Sequence, residues 1–125
     1  MLFLLILLIT VLTSQAQTKY YKAVSFNSKA KNCDWSGWVN SNVEVSINFT
    51  TRHIEIDSTD PQIIDFTGLT ETNTTTYKMY SASGTDKYYN LIGVLFQLNK
   101  NGLFYLTIQY DDGSYSYNLV ETNLY

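Results

Sequence analysis

The sequence predicts an all-β protein, a small antiparallel up-and-down meander of about eight strands, closed into a barrel in preference to a β-sandwich. Three observations carry the expectation. Apolar residues recur at every second position in several short segments, which places them on one face of a strand. Turn residues separate these segments at short intervals, and nowhere does an apolar stripe at spacing three and four persist for three helical turns. Composition agrees: the 125 residues include eleven Tyr and six Phe against one Pro, with no heptad and no low-complexity tract.

Taken in order, a first strand is expected near Lys19 to Phe26. Val43, Val45, Ile47 and Phe49 then alternate with Glu44, Ser46 and Asn48, and Thr50 to Arg52 suit a hairpin into Ile54 and Ile56, which alternate with His53, Glu55 and Asp57. Asp60-Pro61 interrupts the pattern before Gln62 to Thr67, where Ile64 and Phe66 share a face. A polar Thr/Asn loop precedes a strand over Thr74 to Ser81, and Ser83-Gly84-Thr85-Asp86 reads as a turn. The last third is the clearest: Tyr88 to Leu98, Leu103 to Tyr110 and Ser114 to Val120 are strands separated by turns ending in Gly102 and Gly113, glycines that supply a positive φ. Connections this short favour a meander over Greek-key crossings, and closure removes exposed sheet edges. A barrel of about eight strands has room for packed side chains or for one small ligand.

The N-terminus carries an export signature. Leu2 to Leu12 is apolar except for Thr10, too short for a bilayer core that needs about 20 apolar residues, and Ser14-Gln15-Ala16 follows with the small side chains a signal peptidase accepts. The expected organisation is a signal peptide over 1–16 and a single all-β domain over 17–125, secreted or periplasmic, with no stable membrane span after cleavage. Eight Lys and Arg against eleven Asp and Glu give a net charge of −3, which argues against a nucleic-acid partner.

Candidate binding residues are aromatic. The longest non-periodic stretch, Asn27 to Asn42, contains Cys33, Trp35 and Trp38; the two indoles are placed to stack on a sugar ring, to cover a barrel mouth, or to plug the barrel end as core. Tyr115 and Tyr117, with Tyr105 and Tyr110, form either a platform for an amphipathic ligand or half-buried strand filler. The segment from Tyr88 to Leu98 is apolar on both faces, with Tyr89, Leu91 and Leu95 opposite Ile92, Val94 and Phe96, so its second face should be covered by the long loop, by another copy through Leu91 and Leu95, or by a ligand. Gly93 within it is read as a bulge or bend.

Chemistry-bearing residues are sparse. Cys33, the only cysteine, cannot form an internal disulfide and is read as a small buried hydrophobe, with an intermolecular bridge or a nucleophile as the alternatives. His53 beside Glu55 and Asp57 is read as a solvent-facing, pH-sensitive group. Asp57, Asp60 and Asp65 match no calcium-loop spacing, Asp111 and Asp112 are accounted for by their turn, and no metal, cofactor or catalytic motif stands out. Asn48-Phe49-Thr50 and Asn73-Thr74-Thr75 fit the N-glycosylation pattern.

The signal ending in Ser14-Gln15-Ala16-Gln17, the Trp35-x-x-Trp38 pair, the alternation Val43-x-Val45-x-Ile47 leading to Ile54-x-Ile56, Pro61-Gln62-x-x-Asp65 and the closing Leu106-x-Ile108-x-Tyr110-Asp111-Asp112 resemble small exported lipocalin-like (calycin-like) β-proteins of Gram-negative bacteria that carry no assigned activity. The resemblance implies a periplasmic or secreted setting and no catalytic residue. The functional expectation is a non-enzymatic binding or interaction module that engages a small molecule, glycan or protein through Trp35, Trp38, Tyr115 and Tyr117. The alternative is an envelope assembly protein that self-associates through its doubly apolar strand.

Overall fold

A computed structural model of the chain describes residues 18–122. The expected signal peptide lies outside these residues. Eight antiparallel strands follow one another around a closed barrel: β1 (Thr18–Ala30), β2 (Val39–Asn48), β3 (His53–Asp57), β4 (Gln62–Asn73), β5 (Tyr77–Asp86), β6 (Leu91–Asn99), β7 (Phe104–Tyr110) and β8 (Gly113–Glu121). Each strand pairs with its sequence neighbours, and β8 returns to β1 through registers such as Ala23 with Leu119 and Phe26 with Tyr117. The sheet closes without a free edge, so the meander is a barrel and not a sandwich.

Alternation decides what fills it. The inward parity carries Val45 and Ile47, Ile54 and Ile56, Ile64 and Phe66, Ile92, Val94 and Phe96, Leu106 and Ile108, and Tyr117 and Leu119, all buried. β-Branched and aromatic side chains dominate because they suit a pleated surface packed on one side. Phe96 lies at the centre of an aromatic chain, with ring centroids 5.4 Å from Phe66, 5.1 Å from Phe49 and 6.4 Å from Phe104.

Several boundaries differ from the sequence reading. β4 runs on through Thr70 to Asn73, pairing with Ser81 to Lys78, and β5 continues through Ser83 and Gly84 to Asp86. The expected Thr/Asn loop and the expected turn at Ser83 to Asp86 are therefore both strand. The first shows no alternation because this end of β4 is exposed on both faces. In the second, Gly84 is a packing requirement and not a turn signal: a Cβ there would lie 2.6 Å from the Asp65 carbonyl oxygen and 3.3 Å from Phe66 Cβ. The true turn is Lys87 to Asn90, so Tyr88 and Tyr89 leave β6.

Gly93 marks no bulge, since β6 pairs in continuous register through it on both sides. The register shifts instead between Ala23 and Ser25 on β1 and between Thr67 and Thr70 on β4, where Gly68 has φ 69°. Gly102 adopts the expected positive φ, of 93°, but Gly113 does not. Gly113 is required by a close approach of β8 to the Lys29 carbonyl oxygen of β1.

Candidate functional site

In a meander, alternate turns fall at opposite ends of the barrel, and the two ends here are built differently. One end is closed by aromatic packing. Phe26 stacks on Tyr115 at 5.9 Å and meets Tyr117 at 5.3 Å, and Tyr110 meets Tyr115 edge-on at 5.9 Å. Burial pushes the Tyr117 hydroxyl up to about 12, with the neighbouring tyrosines adding to the shift, and burial likewise raises Tyr110. At the same end Asp86 folds the β5–β6 turn around its carboxylate. Oδ1 accepts the backbone N–H groups of Tyr88 and Asn90, each at 2.9 Å, and Oδ2 accepts Asn90 Nδ2 at 3.0 Å. Burial works against the Asp86 charge, but those hydrogen bonds and the adjacent Lys87 prevail and leave its carboxyl below the usual value.

The opposite end is open. A cavity of about 590 Å³ lies among Tyr21, Phe49, Tyr80, Phe96, Leu98, Phe104 and Leu119, with Leu69, Leu103 and Val120 at its edge. Its size falls within the range of small-ligand pockets. The hairpins β2–β3, β4–β5 and β6–β7 and the outer ends of β1 and β8 supply these residues, so five separate segments converge on one mouth. Leu98 is 45% exposed there despite its inward parity, because it lines the open cavity two residues beyond buried Phe96 on β6. Charges at the rim are already matched: Lys19 Nζ is 3.8 Å from Glu121 Oε1, Lys78 Nζ is 4.0 Å from Glu71 Oε1, and the Tyr80 hydroxyl donates to that same oxygen at 2.9 Å. The hydrogen bond to Glu71 holds the Tyr80 hydroxyl above its ordinary value.

The four candidate residues separate into two groups. Tyr115 and Tyr117 share the closed end through Phe26, and Tyr117 belongs to the core. Trp35 and Trp38 neither cover the mouth nor plug the barrel. The loop from Lys31 to Trp38 folds back on the outer wall, where Trp38 meets Tyr105 of β7 at 5.5 Å and Lys29 Nζ lies 6.0 Å from the Trp35 ring. Its backbone bonds run to Ser28 and Asn27 of β1 and to Asp112, so it leaves the outer face of β6 uncovered. Leu91 on that face is 82% exposed and Leu95 is half-buried. Cys33, expected to be buried, is exposed in the loop.

His53 has the expected outward parity and is held between Asp65 Oδ1, 2.7 Å from Nδ1, and Glu55 Oε1, 3.2 Å from Nε2. Asp57 is not its partner; the second acid comes from the next strand. Asn48 of the first sequon is occupied by structure, since its Oδ1 accepts the N–H groups of Thr50 and Thr51 and its Nδ2 donates to Thr18. Among the described residues no group of three or more His, Cys, Asp or Glu is placed to hold a metal ion, and no helix is long and apolar enough to cross a membrane. Comparison of the chain with protein-family models, curated proteins and solved structures finds no match.

The mouth residues Phe49, Tyr80, Leu98, Phe104 and Leu119 were not singled out from sequence. A signal was present: each lies at or near a strand end on the side of the turns β2–β3, β4–β5 and β6–β7, and those turns must share one end once the order is a meander. Side-chain chemistry at the mouth is suited to holding an apolar body, since a phenyl and leucyl lining lies below a rim of paired charges.

Proposed function

We propose that the protein is an exported, non-enzymatic binding module that takes the apolar part of a small amphipathic ligand into the open end of its barrel. The observation that carries this reading is the apolar mouth of about 590 Å³, which ends on a closed core. An apolar cavity left facing water forgoes about 25 cal/mol for every Å² that could be buried, so a ligand that fills it recovers a favourable term that folding leaves open. The paired charges at the rim suit a polar headgroup that remains in water. The export signature of residues 1–16 supports a periplasmic or secreted setting.

Titration with the fluorescent probe N-phenyl-1-naphthylamine tests the reading. Saturable binding at one site is expected, displaced by medium-chain fatty acids and weakened about tenfold or more by Leu98→Glu at the rim. No saturable binding, or equal binding by Leu98→Glu, would count against it. A second reading, envelope assembly through the wall of β6, is favoured by the exposure of Leu91 on that wall and of Tyr89 in the adjoining turn. Sedimentation of the protein at micromolar concentration checks it, and a monomer removes it.

A further inference from the structure

We propose that the outer wall of β5 to β8, together with the tryptophan loop that crosses onto it, is a second binding surface, whose ligand is an uncharged polysaccharide. It is distinct from the mouth, which opens at one end of the barrel.

The first observation is a segregation of charge around the wall. Outward positions on β1 to β4 carry Lys22, Glu44, Glu55, Asp57 and Asp65. Outward positions on β5 to β8 carry no Asp, Glu, Lys, Arg or His: the charged residues of these strands, Lys78, Asp86 and Glu121, pair in register with inward positions. In their place stand hydroxyls and amides, among them Ser81, Ser83, Gln97, Thr107 and Gln109. The strands of this wall present no fixed ion, the charges at its edge being Lys29, beside the Trp35 ring, and Lys31 and Asp34 of the loop, while hydroxyls and amides donate and accept hydrogen bonds in the patterns that sugar hydroxyls require.

The second observation is that Trp35 and Trp38 remain 43% and 48% exposed although the loop does not need them to stay in place. Its backbone is pinned by Ser36 N–H to the Ser28 carbonyl at 2.8 Å and by Gly37 N–H to Asn27 Oδ1 at 2.9 Å. The Asn27 side chain that anchors the loop is itself buried. Trp38 therefore rests on Tyr105 with a 37° tilt on a loop already ordered, which lowers the entropy cost of binding at its free face. An indole and a phenol side by side, next to a hydroxyl- and amide-bearing wall, form a shelf on which the C–H face of a pyranose can stack while its hydroxyls pair alongside.

A second copy of the chain fits the same wall less well. Interface cores are contiguous and depleted of polar groups, whereas Leu91 and Leu95 are interrupted by Gly93 and flanked by Ser, Thr and Gln.

Native electrophoresis through gels containing uncharged polysaccharides (starch, mannan, arabinoxylan, mixed-linkage glucan), with heparin and polygalacturonate as charged comparisons, tests the proposal. Retardation by at least one uncharged polymer and by neither charged one is expected. Trp38→Ala and Tyr105→Ala should each weaken it about tenfold with an unchanged circular dichroism spectrum, while Glu55→Gln on the charged half binds as the parent does. The proposal is overturned if no uncharged polymer retards the protein or if both aromatic variants bind like the parent. It is also overturned if the wall proves occupied by a dimer that Leu95→Lys dissolves. N-phenyl-1-naphthylamine binding by Trp38→Ala reports on the mouth alone, so failure of either site is read separately.

Discussion

His53 has a carboxylate on each ring nitrogen, and both nitrogens donate only when the imidazole is protonated. The bond to Asp65 raises its pKa above the ordinary 6.5, partial burial works against the rise, and Glu55 reinforces it. A folded pKa above the unfolded one means the contribution is full below about pH 6.5 and fades as pH rises through the folded value. The imidazole should accordingly titrate above 6.5 by NMR, and His53→Gln should flatten the fall in melting temperature on going from acid to neutral pH. The effect is limited to about 1 kcal/mol, because the pair is solvent-facing. The outward parity of His53 was readable along β3, but its closer partner was not, since Asp65 comes from a neighbouring strand. Tyr89 is a second residue-scale case. It holds φ 66° in a turn clamped by Asp86, a conformation that a bulky residue adopts at a cost of about 1–2 kcal/mol. Tyr89→Gly should raise stability in urea unfolding by up to about 1 kcal/mol. Asp86→Ala should lower it by about 2 kcal/mol through loss of the turn's acceptor.

Among the elements, β5 and β6 separate what periodicity can and cannot reveal. Both contain an internal glycine, read from sequence as a turn at Gly84 and a bulge at Gly93, and both are regular strand. The difference lies in what each glycine faces. Gly84 faces inward against the Asp65 carbonyl and Phe66, backbone that cannot move aside. At Gly93 the nearest atom is Gln109 Oε1 at 2.9 Å, the tip of a flexible side chain. Gly84→Ala should therefore destabilise by about 1–3 kcal/mol in chemical denaturation, and Gly93→Ala should be close to neutral. One-sided strands such as β2, β3 and β7 were legible because water on one face and core on the other impose period two. The far end of β4 was not, because both of its faces are wet, and the inner end of β5 was hidden by Gly84, which carries no side chain to show the alternation.

At the scale of the whole molecule, closure through β1 and β8 creates a core with a filled part and an unfilled mouth, and stability should follow that gradient. Ile108→Ala, in the fully buried part, should cost about 2–5 kcal/mol, and Leu98→Ala at the rim less than about 1 kcal/mol, in the same denaturation experiment. A ligand seated in the mouth should raise the melting temperature by mass action, and Leu98→Glu should abolish that rise. Strand number, order and antiparallel sense were all present along the chain, because alternation and short turns are local properties set by neighbours in sequence. The fold of the tryptophan loop against the outside, the plug of Phe26 with Tyr110 and Tyr115, the open mouth and the charge-free half of the wall were decided only by the tertiary structure. Each depends on which distant strands meet once the sheet curls shut, and side chains far apart in the chain become neighbours only through that closure.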